Sequence, residues 1–142
     1  MYKFEKLEIW DLALEYIDLC YQVAGMLPNS EEFNLKGQLR RAATSVALNI
    51  AEGSTGQSDA EQVRFLGMAL RSLIESVACM RIISRRSYKV DGDKLDTAYR
   101  KSETLARKIQ AMRRVLTRDG RTVKELEGEY SPGSGLLTVA EE

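Results

Sequence analysis

The sequence predicts an all-α protein, an antiparallel up-down four-helix bundle. Four segments carry apolar residues at steps of three and four, and short turn-forming stretches separate them. Pro28 and Pro132 are the only prolines, so long helices meet few breakers. No segment shows the alternating period of a strand. Four helices joined by short loops, each with one apolar stripe, pack most simply as antiparallel neighbours around a shared core.

The first helix is expected from about Leu7 to Leu27. Leu7, Trp10, Leu14, Ile17, Tyr21 and Ala24 form its stripe, and Leu27-Pro28-Asn29-Ser30 ends it, because the residue before proline disfavours helical geometry. The second helix is expected from near Ser30 to Glu52. Asn29 or Ser30 would cap it, Glu31 and Glu32 would sit in its first turn, and Gly53 would be its C-terminal cap. The third opens with Ser58-Asp59-Ala60-Glu61, a capping box, and continues through Val63, Leu66, Leu70, Leu73, Val77, Met80 and Ile83 to about Arg86. The fourth begins at Asp91 or Asp93 and places Leu95, Ala98, Leu105, Ile109, Met112 and Leu116 inward, ending around residues 118–120. One bundle over residues 1–120 and a flexible extension over 121–142, broken by Ser131-Pro132-Gly133-Ser134-Gly135, is the expected organisation.

The 142-residue chain is long enough for one core, with 44% apolar and 30% charged residues. The uncharged run from Ala42 to Ala51 is about half of what a membrane span needs. The first residues carry no apolar signal core, so a cytoplasmic protein is expected. Cys20 and Cys79 lie on apolar helix sides without a Cys-x-x-Cys pair, as two core thiols in a reducing compartment would.

Histidine is absent, which removes the commonest general base, the commonest metal ligand and every Ser-His or Cys-His arrangement. No phosphate-cradling or dinucleotide-binding glycine motif occurs. Glu31-Glu32 fits a helix start better than a catalytic dyad, and Asp91 and Asp93 lack the rest of a calcium loop. A non-enzymatic chain without metal or cofactor is expected.

Helix two departs from the amphipathic pattern. Ala42 to Ala51 makes nearly three turns without a charge, whereas a helix with one buried face should carry charge on the other. Burial on two sides, by its own core and by another subunit, follows as the expectation, with homo-oligomerisation through this helix.

The zero net charge hides segregation. Residues 1–80 carry a net −4, residues 81–121 a net +8, and residues 122–142 a net −4. Arg81, Arg85, Arg86, Arg100, Arg107, Lys108, Arg113, Arg114 and Arg118 make the end of helix three and helix four a candidate surface for RNA or another polyanion, since the arginine fork suits phosphate. The alternative is that these cations pair with Glu8, Glu15 and Asp18 across subunits. Only Tyr88 and Tyr99 interleave with the cations.

The stretch Gln38-Leu39-Arg40-Arg41-Ala42-Ala43-Thr44-Ser45-Val46-Ala47-Leu48-Asn49-Ile50-Ala51-Glu52-Gly53 resembles a signature of the four-helix-bundle proteins encoded in 23S rRNA intervening sequences. Phe4-Glu5-Lys6-Leu7-Glu8-Ile9-Trp10, Arg64-Phe65-Leu66-Gly67-Met68-Ala69 and Ser72-Leu73-Ile74-Glu75 match further parts, and the resemblance covers about residues 2–118. Arg71 departs from it, where the family usually has a small residue. The resemblance implies a homopentamer associated with RNA, and kinship with accessory proteins of diversity-generating retroelements, which engage a reverse transcriptase and its RNA. It suggests structural rather than catalytic roles for Arg41, Ser45, Asn49, Glu52 and Gly53, and Arg41, Ser45, Leu48, Asn49 and Glu52 are the expected oligomer interface. The buried polar residues Ser45 and Asn49 should each find a hydrogen-bond partner.

Overall fold

A computed structural model describes residues 1–56, 58–86 and 88–117. Among these residues there are four α-helices and no strand: α1 Glu8–Gly25, α2 Leu35–Gly53, α3 Asp59–Arg85 and α4 Gly92–Leu116. The extension expected over 121–142 lies outside the described residues, as does the expected end of the last helix.

Each helix touches its two chain neighbours, and α1 closes the ring against α4. The cross-helix contacts fix the directions. Glu15 meets Lys101 while Glu8 meets Lys108, so α1 and α4 run opposite ways. Ser45 meets Ser72 while Gly53 faces Phe65 and Gln62, so α2 and α3 do too. This is the up-down bundle that short connections favour.

The α3 stripe matches expectation, with only Val77 partly exposed, and Ser58 Oγ caps the helix by accepting from Glu61 N at 3.1 Å. Helix α1 buries a stripe shifted from the one expected: Ile9, Ala13, Tyr16, Cys20 and Val23 join the expected Ala24 in the core, Leu7, Trp10 and Ile17 are partly buried against it, and Leu14 is 40% and Tyr21 44% exposed. Two apolar stripes lie side by side on this helix. The one holding alanine and cysteine turns inward, where thin side chains let α1 sit close to its neighbours.

The start of α2 also differs. Asn29–Glu31 forms a separate 3-10 turn, and α2 begins at Leu35. Glu31 caps it from outside: its Oε1 accepts from Leu35 N at 3.4 Å and from Asn34 Nδ2 at 2.9 Å. Gly53 does not end the helix in a left-handed conformation. It is helical, Ser54 follows as the cap, and the positive φ (90°) falls at Gly56. Gly53 must be glycine for space, since a Cβ there would lie 2.7 Å from Phe65 Cβ and 3.4 Å from the Gln62 carbonyl oxygen.

Cys20 and Cys79 are free thiols. Burial pushes Cys20 up to about 12 and raises Cys79 as well, which leaves both as inert core groups. Beside them the buried Tyr16 hydroxyl and Ser76 Oγ share a 2.6 Å hydrogen bond, and Ser76 also donates to the Leu73 carbonyl. No helix among the described residues is long and apolar enough to cross a membrane.

Two outcomes are expected. Gly53→Ala ordinarily gains helix propensity, yet here it should destabilise by about 1–3 kcal/mol in chemical denaturation, because the α3 backbone must retreat. Ser76→Ala should cost about 1–3 kcal/mol by orphaning the Tyr16 hydroxyl, and combining it with Tyr16→Phe should cost clearly less than the sum of the two.

Candidate nucleic-acid interface

The second half of α3 and the length of α4 form the basic side of the bundle. Arg81 and Arg85 are four residues apart on α3 and therefore share a face. Arg100, Arg107 and Arg114 recur every seven residues on α4, two turns or about 10.5 Å apart, and line up in a row. All five are exposed, as are Arg86 and Lys108.

The cations divide by chemistry. Two of the three lysines of α4 turn toward α1: Lys101 Nζ is 2.8 Å from Glu15 Oε2, and Lys108 Nζ is 2.8 Å from Glu8 Oε1. The neutralisation expected between subunits thus occurs inside one chain, at least for these two pairs. Exposed pairs of this kind are worth under about 1 kcal/mol each, so they orient α4 on α1 more than they hold it there. By contrast, Arg81, Arg85, Arg100 and Arg107 make no ion pair with a described residue.

Arg113 does not belong to this surface. It is fully buried and its Nη1 donates to Gln110 Oε1 at 3.1 Å. Arg118 lies outside the described residues.

Two arginine–tyrosine pairs, invisible in the sequence, order part of the surface. The Arg81 guanidinium lies 4.5 Å from the Tyr99 ring centroid across the α3–α4 boundary, and Arg86 lies 5.6 Å from that of Tyr88. Arg86 Nε donates to the Tyr88 hydroxyl at 3.2 Å, and that hydroxyl donates to Glu31 Oε2. The relay ties the α3–α4 connection to the α1–α2 connection. The Tyr88 donation holds the Glu31 carboxyl below the ordinary glutamate range, helped by Leu35 N and Asn34.

A second face lies outward on α2 and α3. Arg41 and Glu52 are exposed, Leu48 is 59% exposed, and Ser45 and Asn49 are half-buried beside them. Both polar residues have partners: Asn49 Nδ2 donates to the Ser45 carbonyl (2.9 Å) and to its Oγ (3.1 Å), and Ser72 Oγ of α3 donates to Ser45 Oγ at 2.9 Å. Met68 of α3, 36% exposed, adds apolar surface. The chain's own core takes Ala42, Ala43, Val46, Ala47 and Ile50. Much of the uncharged run is therefore explained within one bundle, and Leu48 with its neighbours is what remains.

Among protein families, the one described as 23S rRNA-intervening sequence protein matches residues 5–111. The chain belongs to this family. The match spans all of α1, α2 and α3 and most of α4, including Arg100 and Arg107, and stops before Arg113 and Arg114. No curated protein matches the chain.

Because the folded Glu31 carboxyl titrates below its unfolded value, its stabilisation is complete above about pH 4.3 and is lost as pH falls through the lowered folded value. Denaturation of wild type and Glu31→Gln from pH 7 to pH 3 should therefore show the variant less stable at neutral pH and the gap closing in acid.

Proposed function

We propose that this protein is a non-catalytic, homo-oligomeric helical scaffold that binds RNA or another polyanion through the exposed arginines of α3 and α4. The observation that carries this is the division of the cations: Lys101 and Lys108 of α4 are matched to glutamates of α1, whereas Arg81, Arg85, Arg100 and Arg107 are exposed without an acidic partner among the described residues. A planar fork with several donors engages phosphate oxygens in pairs, and a row of such forks follows a backbone. The family, described by an intervening sequence of 23S rRNA, is consistent with an RNA setting.

The outward α2–α3 face, with Leu48 and Met68 between Arg41 and Glu52, is the proposed contact between copies. Five copies is the assembly that the resemblance implies. Repetition of the arginine row around a symmetry axis would let several weak phosphate contacts act together.

RNA binding should weaken steeply with salt, with a log–log slope of about −0.7 per phosphate neutralised on a single strand. Arg100→Glu and Arg107→Glu should each weaken binding across sequences and reduce the slope by about one, with no change in solution mass. Leu48→Asp should lower the solution mass. An absence of binding at low salt, or binding indifferent to salt, would remove the polyanion reading.

A further inference from the structure

The groove between α3 and α4 is lined by Met80, Arg81, Ser84, Leu95, Asp96 and Tyr99. Its contents are wrong for a phosphate and right for a base. Asp96, exposed at the groove, repels a phosphate but accepts from the amino group on a base edge. Met80 and Leu95 supply an apolar wall. The Arg81 guanidinium carbon lies 4.5 Å from the Tyr99 ring centroid, and Arg81 is exposed, so a flat cation and an aromatic ring stand together at the groove. Flat guanidinium planes, like aromatic rings, are surfaces on which unpaired bases stack.

Phosphate ligands stand on both sides of this groove. Arg85 lies one turn beyond Arg81 on α3, and Arg100 follows Tyr99 on α4. A strand crossing the groove can seat a base on Arg81 while its flanking phosphates meet Arg85 and Arg100. A duplex keeps its bases inside its own stack and has none to offer.

We infer that the Arg81–Tyr99 stack is a nucleobase platform, and that the basic face takes single-stranded nucleic acid in preference to a duplex. This rests on the polyanion-binding reading above and adds a stacking contact to it. The platform is already ordered by the Tyr99 ring, so little side-chain freedom is left to lose when the base arrives.

The test uses the full chain with three probes at matched salt: an unpaired RNA oligomer carrying 2-aminopurine, the same sequence as a duplex, and heparin. Arg81→Lys keeps the charge and loses the plane; Tyr99→Leu keeps apolar bulk and loses the ring. Wild type should bind the unpaired RNA more tightly than the duplex and quench the 2-aminopurine. Both variants should lose roughly five- to 150-fold in affinity for unpaired RNA, the loss of one stacked base, and lose the quenching. With Arg81→Lys, which keeps the charge, duplex and heparin affinities should fall far less than the affinity for unpaired RNA. Equal loss on single strand and duplex, no loss on the single strand, or a wild type that favours the duplex would overturn the platform while leaving phosphate binding intact. Failure of wild type to bind any of the three would overturn both.

Discussion

The close approach of α2 to α3 is the constraint on which the rest of the bundle depends. Where a Cβ on Gly53 would fall 2.7 Å from Phe65 Cβ, the helices are nearer than ordinary side chains allow. Across the same seam Ser72 reaches Ser45. Small residues lose little conformational entropy when packed, and their short side chains let backbone meet backbone. The tight pair then leaves α1 and α4 to cover its remaining apolar side. They do so with a conventional core of Tyr16, Val23, Leu105 and Ile109. The outward face of the pair bears the exposed Leu48 and Met68 between Arg41 and Glu52.

Electrostatics arranges the surface but does not hold the fold. The ion pairs of α1 with α4 are exposed, and pairs of that kind contribute little. Their effect is selective. By matching Lys101 and Lys108 to glutamates of α1, they leave Arg100 and Arg107 without an ion pair among the described residues. The Glu31–Tyr88–Arg86 relay works in the same spirit at the end of the bundle. A carboxylate that would sit uselessly in a loop caps α2 and anchors the α3–α4 connection at once.

How much of this was legible in the sequence follows from how local each signal is. Helix existence and order are local, set by periodicity, by the Ser58 cap and by Asp91, whose carboxylate accepts from Asp93 N at 2.9 Å. They were readable to within a few residues, apart from the start of α2. That start was missed because its cap, Glu31, acts from a preceding turn, where sequence reasoning looks for serine or asparagine next to the helix. The buried side of α1 was missed because two apolar stripes adjoin, and only the neighbouring helices decide between them. Arg113 was placed on the surface because charge is normally exposed, and nothing in the spacing marks one arginine of Arg113-Arg114 as inward. The basic face was legible in outline, as a net charge of +8 over residues 81–121. Its internal division was not.

That division changes what the charge implies. A uniform basic patch attracts any polyanion, and its strength depends on the number of phosphates it reaches and on salt. The Arg81–Tyr99 contact joins residues 18 positions apart on different helices, so it exists only once α3 and α4 have packed in register. The Arg81 guanidinium sits against an aromatic ring, whereas no ring contact among the described residues engages Arg85 or Arg100. Flat cations and rings together are surfaces on which an unpaired base can stack. Two arginines of equal charge on the same face thus answer to different chemistry, one to the base and one to the backbone, and the packing of α3 on α4 draws the distinction.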